Sequence, residues 1–404
     1  MMRIAVAGAG IGGLTAALCL QQQGFEVQVL EAVEMLRPLG VGINIMPHAS
    51  GVLHGLGLGD ALGEMAIRTR AIEYRTRFGH LIQSDPRSVE AGFEYPQYSV
   101  HRGELQLLLF ETVRERCGVS AIMTGKMVTG FRQDEKSVQV ISRDGSVERA
   151  DLLIGADGFR SKVRQQLHPE EGPARYEGTM MFRGAHLQAP FADGRTMFIA
   201  GDHNVKFVCY PISARAARNG QSLVNWVAEL RHDQPRAADE ADWTREGKRD
   251  FAQAFADFRM PDIDLQTLID GTQQITQYPM IDRDPLDGWT QGRVTLLGDA
   301  AHPMYPIGAN GASQAILDAR VLADKLSERP APAGLLDYEA VRRPVTTNVV
   351  LSNRTSGPER VLDIAAARVT GPGDRIEELI SKEELEAVST QYRELAGFGR
   401  KDQK

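Results

Sequence analysis

The chain has 404 residues, 42% hydrophobic and 25% charged, a globular balance that excludes a mainly disordered protein and leaves room for roughly two to three domains. Forty-six basic against 53 acidic residues give a net charge of −7, which offers no general attraction to phosphate backbones or anionic membranes, so no nucleic-acid or membrane partner is expected. The three cysteines, Cys19, Cys117 and Cys209, are far apart and form no Cys-x-x-Cys, which excludes a dithiol centre and a zinc knuckle and fits a reducing cytoplasm.

Residues Ile4 to Leu20 follow Arg3 and carry no charge, the outline of a secretory signal. Gly8, Gly10, Gly12 and Gly13 interrupt the stretch, no small-x-small cleavage site follows before Gln21, and it is short for a membrane span. A strand, a turn and a helix account for every glycine. Arg3 to Ala7 reads as a buried parallel strand, and Ile11, Leu14 and Leu18 fall at helical spacing. Between them, Gly8-Ala9-Gly10-Ile11-Gly12-Gly13 is a G-x-G-x-x-G. Its first glycine permits the turn, the second lets backbone reach a pyrophosphate, and the third lets helix and strand pack closely. The helix N-terminus adds free N–H groups for the phosphates. Gly24 stops the helix, Phe25 to Leu30 alternates as a second strand, and Glu31 closes it where a carboxylate accepts ribose hydroxyls. This predicts a dinucleotide site for FAD or NAD, since an acid at Glu31 disfavours the 2′-phosphate of NADP.

Further along, His101-Arg102-Gly103-Glu104-Leu105 opens a helix whose Leu105, Leu108 and Leu109 bury one face. Arg102 either reaches a ligand or pairs on the surface with Glu104 or Asp85. Ala150 to Gly155 reads as an apolar strand running into Asp157-Gly158, with a helix starting near Ser161. Thr196 to Ile199, Phe207 to Tyr210 and Leu223 to Val227 are short strand candidates for an antiparallel sheet. Arg231 to Asp250, charged with both signs around Trp243, reads as a solvated loop and helix start. Gly292 to Leu297 is a second buried strand that ends in Gly298-Asp299. An Asp at a strand-to-turn junction is ordinary by itself. After it, Pro306-Ile307-Gly308-Ala309-Asn310-Gly311-Ala312 leads into a helix with Ile316, Ala319, Ala323 and Leu326 on one stripe, with Asn310 as expected N-cap and glycines that let backbone approach a planar ring. There is no second G-x-G-x-x-G, no Ser–His–Asp order, no metal-spaced histidine and no pair of catalytic carboxylates. No catalytic acid or base and no metal is therefore named.

In this order, the glycine turn, the Asp157 segment and the Asp299 segment resemble the three fingerprints of the class A flavoprotein monooxygenases. Further matches narrow the resemblance to the phenazine-modifying branch, the 5-methylphenazine-1-carboxylate 1-monooxygenases. They are Arg37 to Ile45, Glu94 to Ser99, Tyr210 to Arg215, Leu223 to Trp226, Gln277 to Met280, Asp282 to Leu286 and Asp299 to Asp318, and the match fades after about Arg354. Salicylate hydroxylases are more distant relatives. The resemblance implies an α/β fold with an α+β substrate layer, like that of para-hydroxybenzoate hydroxylase. Residues 1–72, 97–175 and 276–335 would form the Rossmann-like FAD-binding domain, 73–96 and 176–275 the antiparallel-sheet substrate domain, and 336–404 the C-terminal helices.

The same resemblance implies FAD held by Gly8, Gly10, Ile11, Gly12, Gly13, Glu31, Gly42, Arg102, Val128, Asp157, Asp299, Pro306, Gly308, Asn310, Gly311 and Ala312. Arg102 would reach the diphosphate and ribityl region, Asp299 the ribityl chain, and Asp157 the flavin end and nicotinamide entry. The helix opening at Gly311 would face the edge of the flavin that becomes anionic on reduction. The implied activity is a monooxygenase that consumes NADH or NADPH and dioxygen. It would hydroxylate an aromatic or phenazine-type carboxylate through a C4a-hydroperoxyflavin, with or without decarboxylation. Alternatives are a monocyclic substrate such as salicylate, an FAD-dependent dehydrogenase that never uses oxygen, and a flavin- or aromatic-binding protein without turnover. Trp226, Trp243 and Trp289 never form a Trp-x-Trp, which argues against a flavin halogenase. Arg183, Tyr210 and Tyr305 are the candidates for the substrate pocket. A cytoplasmic monomer or homodimer is expected.

Overall fold

The computed structural model describes residues 2–38, 41–232, 245–246, 249–355 and 357–395. Leu39, Gly40, Trp243 and most of the charged stretch 231–250 lie outside them. Strand Arg3–Ala7 is almost wholly buried, which requires neighbours on both sides. It pairs in parallel with Glu26–Leu30 and with Leu152–Gly155, and Ile122–Met123 and Val294–Leu296 extend the five-stranded sheet at its two edges. The strands that lead into Gly8, Asp157 and Asp299 are thus three consecutive neighbours, ordered Val294–Leu296, Leu152–Gly155, Arg3–Ala7. Their parallel sense brings all three motifs to the carboxyl edge of the sheet, where open α/β sheets bind ligands. Val128 begins the strand Val128–Gln133, which belongs to a separate three-stranded antiparallel meander.

The helix after the glycine turn, Ile11–Gln22, packs against Gly311–Glu328, which packs in turn against Ala333–Asn353. All four stripe residues Ile316, Ala319, Ala323 and Leu326 are buried. Asn310 occupies the N-cap position of Gly311–Glu328 but has helical backbone angles and makes no capping hydrogen bond with its side chain, so the expected cap is not formed. Asn310 is fully buried.

The second large element is an eight-stranded sheet in the order 245–246, Thr276–Asp282, Arg175–Gln188, Ser222–Arg231, Val205–Pro211, Thr196–Gly201, Ala71–Arg75, Leu81–Pro86. Every pairing is antiparallel except Thr196–Gly201 with Ala71–Arg75. Two sequence boundaries need correction. A division at 276 assigns Thr276–Asp282 to the cofactor part, but this strand pairs with Arg175–Gln188 in the large sheet. A division at 336 cuts through the helix Ala333–Asn353.

Strand alternation gives this sheet two unlike faces. Phe182, Phe198, Phe207 and Trp226 pack with Phe251, Phe255 and Leu268 into an aromatic core. The opposite face carries Met181, Met197, Ile199, Val208, Tyr210 and Val227, covered in part by Val361, Leu362 and Ala365 of the helix Arg360–Ala366. Gly184 stands opposite Trp226 in the ladder, and a Cβ there would sit 2.7 Å from the indole, so the missing side chain makes room for the ring. Among the described residues no helix is long and apolar enough to cross a membrane.

Trp226 is fully buried, stacks on Phe207 at 5.8 Å and donates from Nε1 to Thr272 Oγ1 at 2.9 Å. Trp226→Ala is expected to cost about 3–5 kcal/mol, read as a lowered urea midpoint, because it opens a cavity against Phe207 and Phe251 in the aromatic core.

Candidate functional site

The glycine turn is fixed by backbone sterics. Gly8 has φ +102°, and a Cβ there would lie 2.5 Å from Ala156 O. A Cβ at Gly13 would lie 2.1 Å from Gly8 O, and one at Gly12 2.9 Å from Leu297 and 3.0 Å from Ala315. Gly10 differs, since its Cβ position meets nothing within 4 Å and faces open space. No side chain caps the helix that begins at Ile11. Close packing on three sides and bare, uncapped backbone on the fourth make a cradle for an anion. Glu31 lies beside it and accepts from Ala9 N at 2.6 Å and Val33 N at 2.9 Å. Each carboxylate oxygen keeps a second lone pair for a ribose hydroxyl. Lys126 N donates to Glu31 O at 2.7 Å, which brings the approach to Val128 alongside this end of the site.

Asp157 is placed against the same turn, its Cα 3.1 Å from the position of a Gly8 Cβ. Its carboxylate turns elsewhere. Oδ1 accepts from Ser161 Oγ at 2.5 Å and Oδ2 from Lys162 N at 2.7 Å, at the head of the short helix Lys162–Leu167. Burial pushes this carboxyl above its ordinary range, and the Ser161 and backbone hydrogen bonds oppose the rise. The side chain therefore shapes the wall of the cleft rather than pointing into it.

At the other end, Arg102 begins the helix Arg102–Cys117, its N bonded to Val41 O at 3.0 Å. Its exposed guanidinium has no side-chain hydrogen bond or ion pair among the described residues, and Asp85 pairs with Arg87 at 2.6 Å instead. Solvent reaches Asp299 through the cleft, yet the surrounding protein raises its carboxyl above the usual range, while His302 and Arg102 pull it down. A Cβ on Gly311 would stand 4.0 Å from Asp299 Oδ1 with nothing nearer. Arg102, Asp299 and the uncapped start of Gly311–Glu328 thus converge. Gly308 has φ +68° and Ala309 φ +56°, so the chain before the helix turns through two left-handed residues.

Behind this loop lies a charge network. Asp318 accepts from Gly298 N at 3.1 Å and Arg342 Nε at 2.7 Å, and meets His302 Nε2 at 2.5 Å. Arg342 also bonds Gln314 Oε1 at 2.5 Å. Burial alone would raise the Asp318 carboxyl, but the neighbouring His302 and Arg342 hold it down at about 2. The network ties the Gly298-Asp299 turn to two helices.

Arg183 and Tyr210 come together, on Gly42. Gly42 O accepts from Arg183 Nη2 at 2.5 Å and Tyr210 OH at 3.0 Å, and Gly42 N donates to Asn225 Oδ1 at 2.7 Å. A Cβ at Gly42 would meet Ile212 at 2.5 Å and both Asn225 and Tyr210 at 2.8 Å. Arg183 Nη1 further bonds Tyr278 OH at 2.9 Å. Burial pushes the Tyr210 phenol up to about 12, against the pull of Arg183. Tyr305 does not join this pair. Its buried hydroxyl has no hydrogen-bond partner among the described residues, and burial, with Asp282 and Glu177 nearby, raises its phenol above the ordinary range. Its carbonyl accepts from Asn353 Nδ2 at 2.9 Å.

Three contributors carry weak signals or none in the sequence. Gln106 Nε2 donates to Ala9 O at 2.7 Å, one turn after Arg102 on the same helix face, a spacing that offers a signal. Ser313 Oγ accepts from Met46 N at 3.0 Å, and Asn225 holds Gly42, and neither has a local sequence cue.

The glycine positions separate two effects. Gly10→Ala, with open space around its Cβ, should unfold at the wild-type temperature without ligand yet bind FAD at least tenfold more weakly by fluorescence titration. Gly42→Ala should lose about 1–3 kcal/mol of stability before any ligand is added. For Asp318, the folded carboxyl lies below its unfolded value, so its stabilisation is present above pH 4 and lost as pH falls toward 2. Between pH 7 and pH 3, urea unfolding should lose about 1 kcal/mol of stability from this carboxyl, with the rest lost only below pH 2. Asp318→Asn should abolish that limb and cost about 3–5 kcal/mol at pH 7, because Arg342 is left buried and unpaired.

Residues 1–353 match the family model described as FAD binding domain. The chain is 46% identical over 364 residues to the phenazine 1,6-dicarboxylic acid hydroxylase PhzS of Lysobacter antibioticus, covering 87% of this chain and 89% of that one. It is 32% identical over 340 residues to the 6-hydroxynicotinate 3-monooxygenase of Pseudomonas fluorescens, covering 81% and 83%. Among solved structures, Klebsiella pneumoniae HpxO complexed with FAD and uric acid superposes with a TM-score of 0.74 at 26% identity, over 98% of this chain and 93% of that one. The open anion cradle, the Glu31 carboxylate beside it and the uncapped helix beside Asp299 have the chemistry to hold the two ends of one FAD. The chain therefore belongs to the FAD-binding family of class A flavoprotein monooxygenases, with their para-hydroxybenzoate-hydroxylase-like fold, and is an FAD-dependent aromatic hydroxylase.

Proposed function

We propose that this hydroxylase acts on a planar aromatic carboxylate of the phenazine type and takes its electrons from NADH or NADPH and its oxygen atom from dioxygen. Arg183 carries the reading. Its guanidinium lies on the pocket face of the large sheet with Nε unbonded, and no carboxylate side chain pairs with it among the described residues. A half-buried cation without a counter-ion is unfavourable, and a substrate carboxylate would offset that cost while orienting the ring. The names of the relatives, a phenazine dicarboxylic acid hydroxylase and a hydroxynicotinate monooxygenase, support an aromatic acid.

Bound FAD supplies the redox chemistry, delivering one atom of dioxygen to the ring as an electrophile. The protein's own part is placement. The turn Gly8 to Gly13 and its helix hold the diphosphate, Glu31 the ribose, and Val128 borders the adenine end. Arg102 and Asp299 hold the ribityl region, while Pro306, Gly308, Asn310, Gly311 and Ala312 bring bare backbone and a helix N-terminus toward the ring system, where negative charge is favoured. Asp157 keeps the wall beside the turn. Tyr210, with its phenol near 12, stays protonated at neutral pH and acts as a hydrogen-bond donor, not a base. Where oxygen attaches to the ring carbon that bears the carboxylate, the electrons of the carbon–carbon bond return to the ring and carbon dioxide leaves. Attached at any other position, it displaces a ring proton.

The test uses FAD-loaded protein in air with NADH or NADPH and phenazine-1-carboxylate, phenazine-1,6-dicarboxylate, 5-methylphenazine-1-carboxylate or salicylate, following nicotinamide oxidation and product mass. A phenazine acid that stimulates oxidation and gains a hydroxyl supports the proposal, and turnover of salicylate alone replaces it with a monocyclic substrate. Arg183→Met should raise KM for the carboxylate roughly 10- to 100-fold with a smaller effect on kcat, as expected for loss of a charge-assisted contact. An unchanged KM in a variant that retains FAD removes Arg183 from substrate binding.

A further inference from the structure

Three side chains of the large sheet converge on Gly42, and its backbone cannot satisfy them all. The carbonyl takes Arg183 Nη2 at 2.5 Å and Tyr210 OH at 3.0 Å, which fills both lone pairs of the oxygen. The amide donates to Asn225 Oδ1 at 2.7 Å. An N–H can only donate, so the Asn225 atom that meets it is the oxygen and the other is the NH2 group. Asn225 is fully buried, and its Nδ2 has no hydrogen-bond partner among the described residues.

Two more donors stand beside it. Asn225 lies directly opposite Tyr210 on one side and Ala185 on the other, which puts Arg183 on the same face, diagonal to it. Arg183 Nε is likewise buried without a partner. Tyr278, opposite Met181 and so diagonal to Arg183, meets Arg183 Nη1 through its hydroxyl at 2.9 Å. A guanidinium cannot accept, so the phenol oxygen is the acceptor there and its own proton is left for another group. Asn225 Nδ2, Arg183 Nε and Tyr278 OH thus all donate, and the Gly42 carbonyl is already taken. A buried donor without a partner keeps its full desolvation cost, so the cluster selects a ligand group that only accepts. An ionised carboxylate does so with both oxygens. A carboxamide turns a donor of its own toward one of the three.

We propose that Asn225 is a specificity-determining residue for this hydroxylase: its oxygen holds Gly42, and its Nδ2 donates to the same substrate carboxylate that pairs with Arg183. The site then reads an acceptor-only group and not negative charge alone. The inference rests on the reading that the substrate is an aromatic carboxylate.

The experiment titrates oxidised, FAD-loaded protein with phenazine-1-carboxylate and with phenazine-1-carboxamide, following the flavin visible spectrum, with thermal unfolding of each variant alongside. Wild type should bind the carboxylate roughly tenfold or more tightly over the carboxamide. Asn225→Asp keeps an oxygen for Gly42 N and replaces the donor with an acceptor. It should unfold near the wild-type temperature and bind the carboxylate roughly tenfold more weakly. It should also bind the carboxamide more tightly than wild type does, because the ligand NH2 now meets an acceptor. Carboxamide affinity that is unchanged or lowered overturns the proposal: a charge acting without contact leaves that ligand unaffected, and a role confined to Gly42 weakens both. Asn225→Leu, uncharged and of the same shape, keeps the test open if Asn225→Asp fails to fold. Its preference for carboxylate over carboxamide should fall roughly tenfold, and a wild-type preference there overturns the proposal. A preference lost in Arg183→Met but kept in the Asn225 variants strikes Asn225 alone. Wild-type protein that binds neither ligand, or both equally, overturns the carboxylate reading and this inference with it.

Discussion

Two layers of this enzyme meet on one residue. Gly42 offers its amide to Asn225 and its carbonyl to Arg183 and Tyr210, all three from the large sheet, and leaves no room for a Cβ. Buried backbone groups must be bonded, and here the partners come from the other layer instead of a neighbouring strand end. Three side-chain hydrogen bonds thus join the large sheet to the strand Gly42–Ile45 at a point of close approach. Arg183 also reaches Tyr278, so the contact with Gly42 is tied to one face of the large sheet.

On the cofactor side the controlling constraint is the order of strands in the parallel sheet. Val294–Leu296, Leu152–Gly155 and Arg3–Ala7 are adjacent and run the same way, so three segments separated by long stretches of chain end side by side. Beyond each of these strand ends the chain turns tightly, through Gly8, Gly158 and Gly298, all three with positive φ. Asp318 then secures the last of these turns by accepting from Gly298 N and Arg342 and pairing with His302, a buried charge compensated by two cationic or polar neighbours. Three donors converging on one buried carboxylate specify one geometry for this turn.

The large sheet divides its two faces by task. The aromatic face, with Trp226, Phe207 and Phe182, is closed by helix Leu265–Gly271 and the turn before it, and supplies rigidity. The other face is only partly apolar, carries Arg183, Tyr210 and Tyr278, and is shared between the cofactor strands and the C-terminal segment. The cluster Lys206–Glu229–Glu359 marks the seam between that segment and the sheet. Charged groups so deeply buried are a poor source of stability but a strict specifier of registry.

Much of the cofactor site was legible in residues because its chemistry is local. The turn from Gly8 to Gly13, the strand closing at Glu31, and the helix stripe through Ile316, Ala319, Ala323 and Leu326 each depend on backbone sterics or periodicity within about fifteen residues, so their pattern survives in one dimension. The family followed from three such patterns in a fixed order. Other features rest on contacts between distant segments and leave no local trace. That Asp157 turns to the head of its own helix, that Asn310 forms no side-chain cap, and that the Tyr305 hydroxyl makes no hydrogen bond among the described residues were decided by packing. So were the assignment of Thr276–Asp282 to the large sheet, the clamp on Gly42 and the pairing of Lys206 with Glu229 and Glu359. The sequence by itself determined the family and the backbone shapes of the glycine turns, since those depend on sterics and periodicity within short segments. Only the tertiary structure decided which side chains hold distant backbone, as Asn225, Arg183 and Tyr210 hold Gly42, because that depends on what a long-range neighbour leaves unbonded.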